Sequence, residues 1–90
     1  MGRELRLFKS QERKSRSELS AFIHQLADKI SEGRIVLKQN QEELVVQLPQ
    51  TLVLEVQVED EDKGTKGTQH SMEIEIKWFD DEHDATVELG

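Results

Sequence analysis

The sequence predicts an α+β fold: one amphipathic helix packed on an antiparallel β-meander of about four strands, with Glu4–Phe8 as either a further N-terminal edge strand or an ordered arm. Three observations predict it. Apolar residues between Leu19 and Ile30 recur at helical spacing, later segments alternate apolar and polar residues up to Trp78, and turn-forming residues stand between those segments.

The helix start is specified by Ser15 and Glu18, an S-x-x-E capping box in which hydroxyl and carboxylate each satisfy an otherwise orphan backbone N–H. Leu19, Phe22, Ile23, Leu26, Ala27 and Ile30 then share one face. Gly33 supplies the left-handed residue that ends the helix. Four strand segments follow. Arg34–Lys38 carries Ile35 and Leu37, and a turn centred on Asn40 leads to Glu43–Leu48, which Pro49 closes. Thr51–Glu59 places Leu52, Leu54, Val56 and Val58 on one side, and Ser71–Trp78 does the same with Met72, Ile74, Ile76 and Trp78. Between them, Gly64 and Gly67 mark a polar hairpin loop. Pairing the last two strands at positions summing to about 130 sets Leu52 against Trp78 and Val56 against Ile74. The same register sets Glu55 beside Glu75 and Gln57 beside Glu73 on the outer side, where opposed like charges cost a few tenths to about one kcal/mol.

Size and composition bound the function. With 90 residues, of which 34% are hydrophobic, the chain makes one domain with little apolar area left for a pocket once a core is filled. Three parts are expected: a basic arm or edge strand over 1–14, the domain proper over 15–79, and an acidic tail over 80–90. No apolar run approaches the roughly 20 residues that cross a bilayer. Arg3 and Arg6 lack the apolar region of a secretory signal, so a cytoplasmic location is expected. The chain has no cysteine, which excludes disulfides, thiolate metal sites and cysteine nucleophiles.

The formal charge of -7 is unevenly distributed. Residues 1–38 hold nine Lys/Arg against five acids, while the remainder holds three Lys against fourteen acids. Arg6, Arg13, Lys14 and Arg16 in the basic stretch, and Glu55, Glu73 and Glu75 on the outer strand face, are therefore candidate interaction residues. Trp78 ends the last strand as a core plug or ligand platform, and Phe79 follows it as an exposed aromatic contact or a tether for the tail.

The residues LFKSQERKSRSELSAFIHQLADKISEGRIVL, LVVQLPQTLVLEVQVE and MEIEIKW, spanning Leu7 to Trp78, resemble the amphi-Trp domain. That family is a small prokaryotic module named for amphipathic strands that end in a tryptophan. The resemblance rests on order and spacing and implies no catalytic residues.

The residues themselves point the same way. The serines gather in the arm and helix start, His24, His70 and His83 are scattered, and the acids fall at predicted exposed positions, so no nucleophile–base pair or tuned carboxylate pair emerges. No enzymatic activity is expected. Asp80–Asp84 offers hard oxygen donors for no more than a weak Ca²⁺ or Mg²⁺ contact, and Glu59–Gly64 fails the calcium-loop spacing, so no metal or other cofactor is expected. The basic arm has one aromatic, Phe8, and no nucleic-acid-binding motif accompanies it. The expected function is a protein-interaction or self-assembly module working through a sheet edge or the acidic face, with an unknown protein partner or a second copy. Anion or nucleic-acid contact through the arm is the alternative.

Overall fold

A computed structural model describes residues 2–80. Its element order is α1 (Arg16–Glu32), β1 (Arg34–Gln39), β2 (Glu42–Gln47), β3 (Val53–Asp62), a short 3-10 turn (Gly64–Lys66) and β4 (Thr68–Lys77). The α+β class holds, with a helix preceding four antiparallel strands. The chain divides into two compact units, Met1–Gln50 and Thr51–Gly90.

In the first unit, Ser15 caps α1 as expected: the Glu18 N–H donates to the Ser15 hydroxyl at 3.0 Å and the Ser15 N–H donates to the Glu18 carboxylate at 3.2 Å. Gly33 ends the helix with φ 81° and donates its N–H to the Ile30 carbonyl at 3.0 Å. Its own carbonyl accepts from the Leu48 N–H at 2.9 Å, tying the helix end to the chain leaving β2. Strands β1 and β2 pair from Arg34↔Gln47 to Gln39↔Glu42, so Asn40 and Gln41 make a two-residue connection. Asn40 takes φ 54°, a conformation its short amide side chain tolerates. Ile35, Leu37, Leu44 and Val46 alternate onto one face of this hairpin, and α1 packs against β1. These four side chains, with Leu26 and Ile30 of the helix, are half-buried.

The second unit is a single long hairpin. Strands β3 and β4 pair over ten positions, from Val53↔Lys77 to Asp62↔Thr68, each pair summing to the expected 130. The strands reach three residues further toward the loop than alternation suggests, because Asp60↔His70, Glu61↔Gln69 and Asp62↔Thr68 continue the ladder with polar side chains. The loop is closed by the Lys63 N–H on the Gly67 carbonyl at 2.8 Å and by the Gly64 N–H on the Asp62 carboxylate at 2.8 Å. Gly64 and Gly67 take φ 68° and 91°.

The four strands follow one another in meander order and pair as two two-stranded sheets, β1–β2 and β3–β4. The segment joining β2 to β3 contains Pro49, which has no N–H for a ladder and restricts the residue before it. No strand forms over residues 2–15, so Glu4–Phe8 is an arm and not an edge strand. The ladder stops at Val53↔Lys77, one step short of the expected Leu52–Trp78 pair. Among the described residues none is fully buried.

Candidate functional site

The β3–β4 hairpin has two chemically opposite faces. Ten residues at about 3.4 Å each make strands roughly 34 Å long. On one face the matched register stacks Leu54 against Ile76, Val56 against Ile74 and Val58 against Met72. Leu54, Val56, Val58, Met72 and Ile74 are each more than half exposed, while Ile76 at the base is half-buried. Together these side chains make a contiguous exposed apolar row along the ribbon.

The other face is acidic. Glu55 lies opposite Glu75, and Gln57 lies opposite Glu73, as the register requires. The expected repulsion between Glu55 and Glu75 has an answer in Lys77, whose ammonium stands 3.4 Å from Glu55 and 3.9 Å from Glu75. The Gln57 amide donates to the Glu59 carboxylate on the same strand face. Two carboxylates and one ammonium thus form an exposed network whose pairs are each worth well under about one kcal/mol.

A contact that sequence reasoning missed closes the distal end of the apolar face. His70 Nδ1 donates to Asp60 Oδ1 at 2.6 Å across the ladder. The signal was present: the register that pairs Val56 with Ile74 also pairs position 60 with position 70.

At the proximal end, Trp78 follows β4 immediately and is half-buried. It lines an open hollow with Val53, Ile76, Lys77 and Phe79. Phe79 is 79% exposed. The hollow is mostly apolar, with the Lys77 ammonium among its lining groups.

The basic candidates are spread over the arm and the helix start. Arg6 and Arg13 are exposed, Lys14 pairs with Glu12 at 3.5 Å, and Arg16 is the first residue of α1. Phe8 is half-buried in a groove lined also by Leu19, Phe22, Val36 and Leu37. It anchors the arm and leaves Leu5 and Leu7 outside. Glu18 is the residue whose environment shifts its titration: the Ser15 backbone N–H, and next the Ser15 hydroxyl, hold its carboxyl below the usual carboxylate range. His24 sits off the apolar stripe with its Nδ1 2.7 Å from the Ser20 carbonyl one turn earlier. Of the acidic tail, Asp80 is described; Asp81–Asp84, with His83, lie outside the described residues. Among the described residues no three His, Asp or Glu side chains converge as metal ligands.

The family profile of the Amphi-Trp domain matches residues 1–89. The chain belongs to the Amphi-Trp domain family. The match takes in the arm and the tail as well as the Leu7–Trp78 stretch. No curated protein and no solved structure matches the chain. No helix among the described residues of this Amphi-Trp domain is long and apolar enough to cross a membrane.

Proposed function

We propose that this Amphi-Trp domain is a non-catalytic interaction and self-assembly module of the prokaryotic cytoplasm, working through its β3–β4 hairpin. The observation that carries the reading is the row of Leu54, Val56, Val58, Met72 and Ile74, exposed along one face of a ribbon whose other face is acidic. A two-stranded ribbon is marginal by itself in water and gains stability from a further strand or a covering face. The arrangement of the described histidines supports the non-catalytic reading, since His24 Nδ1 sits 2.7 Å from the Ser20 carbonyl with the exposed Ser20 hydroxyl further off at 3.5 Å, and His70 pairs with Asp60.

Sedimentation of the full chain across a concentration series tests this, alongside capture from nuclease-treated native lysate, with Val56→Lys and Ile74→Lys as controls. Association with itself or with a protein, lost in the two variants, is the expected result. A chain that stays monomeric and captures no protein that the variants fail to capture overturns it. The arm's cations favour a second reading, anion or nucleic-acid contact, which predicts nuclease-sensitive recovery that collapses with added salt.

A further inference from the structure

Residues 2–14 contain five bases (Arg3, Arg6, Lys9, Arg13 and Lys14) and two acids (Glu4 and Glu12). Strand β3 is the reverse, with Glu55, Glu59, Asp60, Glu61 and Asp62 and no base. Leu5 and Leu7 are 82% and 67% exposed on an arm with no secondary structure. Among the described residues, strand β3 pairs only with β4, so along its other side half of its N–H and C=O groups have no described ladder partner, beside the exposed Leu54, Val56 and Val58.

Resting on the reading of this hairpin as an interaction surface, we infer that the Arg3–Leu7 segment of a second copy of this chain adds to the open edge of β3 as an antiparallel third strand. The alternation of the arm selects the register. Leu5 and Leu7 lie two apart and so fall on one face, while Glu4 and Arg6 fall on the other. Setting Leu5 opposite Val56 and Leu7 opposite Leu54 extends the apolar face by two side chains. It also sets Arg6 opposite Glu55 and Glu4 opposite Gln57, so that no like charges are opposed on the outer face. Arg3 then falls opposite Val58, one diagonal step from Asp60. Slipping the register by two residues, with Leu5 opposite Val58, places Glu4 against Glu59, and slipping it by one turns the leucines toward the carboxylates. Main-chain hydrogen bonds supply adhesion, and alternate side chains supply specificity, as in strand addition generally. Phe8, held in the groove of its own first unit, fixes the root from which the arm projects. Reciprocal exchange of arms between two copies closes a twofold dimer.

The test uses the absence of native cysteine. Full-length Leu5→Cys and Val56→Cys chains are mixed under mild oxidation, beside a mixture of Leu5→Cys with Gln57→Cys, whose new thiol lies on the opposite face. A mixed disulfide that forms in the first mixture and not in the second is the expected result. In sedimentation, Arg6→Glu weakens the dimer about two- to fivefold and Arg6→Glu with Glu55→Lys restores it. Helical circular dichroism is unchanged in each variant if folding is intact. A dimer without preference between the two thiol mixtures, or one indifferent to Arg6→Glu, overturns the strand addition and leaves the broader interaction reading standing. A chain carrying both Leu5→Cys and Val56→Cys that closes only on itself, with no interchain product, overturns it too. A chain monomeric at every concentration that also captures no protein overturns both.

Discussion

Lys77 reaches diagonally across the hairpin to Glu55, its ammonium 3.4 Å from the carboxylate, and in doing so stands between Glu55 and the directly opposed Glu75. The cation sits on the one strand face where two carboxylates are set side by side. It offsets a like-charge pair that the ladder register imposes.

Removing that cation unmasks the repulsion. Lys77→Gln lowers the stability of the β3–β4 hairpin by about 0.5 kcal/mol at low salt, and the loss shrinks in 1 M salt as exposed charges are screened. Urea titration followed on the amides of Val56 and Ile74 reads it. An effect that grows with salt contradicts the assignment.

The helix start makes a prediction with a definite sign in pH. The Glu18 carboxyl is held below the usual range by the Ser15 N–H and hydroxyl, so its charged form is favoured when the helix is folded. Its contribution is therefore present above the ordinary carboxylate range and is lost as the pH falls through the lowered folded value. Glu18→Gln flattens the acid limb of the helix melting profile without altering it at neutral pH and above by more than the loss of one charged cap. Ser15→Ala removes the cap at all pH values and costs about 1 kcal/mol of helix stability, read by far-ultraviolet circular dichroism.

Gly67 stands in a region of backbone space that side chains rarely occupy, φ 91° and ψ -160°, with nothing within 4 Å of where a Cβ would project. Gly67→Ala therefore meets no neighbour, and its cost is conformational, about 1–3 kcal/mol on hairpin formation. Gly2→Ala, at a site with equal space and no such backbone demand, is neutral in the same measurement.

The Asp60–His70 pair closes the distal end of the apolar face. His70→Ala raises amide exchange at Glu61 and Gln69, next to the loop, and leaves Leu54 and Ile76 unchanged, because the pair sits at one end of a ten-position ladder. Uniform loss of protection along the hairpin is the opposing outcome.

Much of this protein is determined by its sequence, and the reason is locality. The Ser15–Glu18 box, the left-handed Gly33, the turn at Asn40 and the period-two alternation of β3 and β4 are all settled within a few residues of chain. The register of the long hairpin follows because one face must be uniformly apolar, and a shift of a single residue inverts that face. That register contained the Asp60–His70 pair as well, hidden because polar residues at strand ends look like loop. What only the tertiary structure decided is which backbone groups find partners beyond the neighbouring element. The alternating segments suit a single four-stranded sheet and two hairpins equally well, since period-two patterning says which face is apolar and nothing about which edges meet. Leu5 and Leu7 read alike as an edge strand or an arm for the same reason: main-chain pairing has no side-chain signature. The placement of Lys77 between two carboxylates likewise depends on a diagonal across the ladder, a relation that exists only once the strands are twisted and paired.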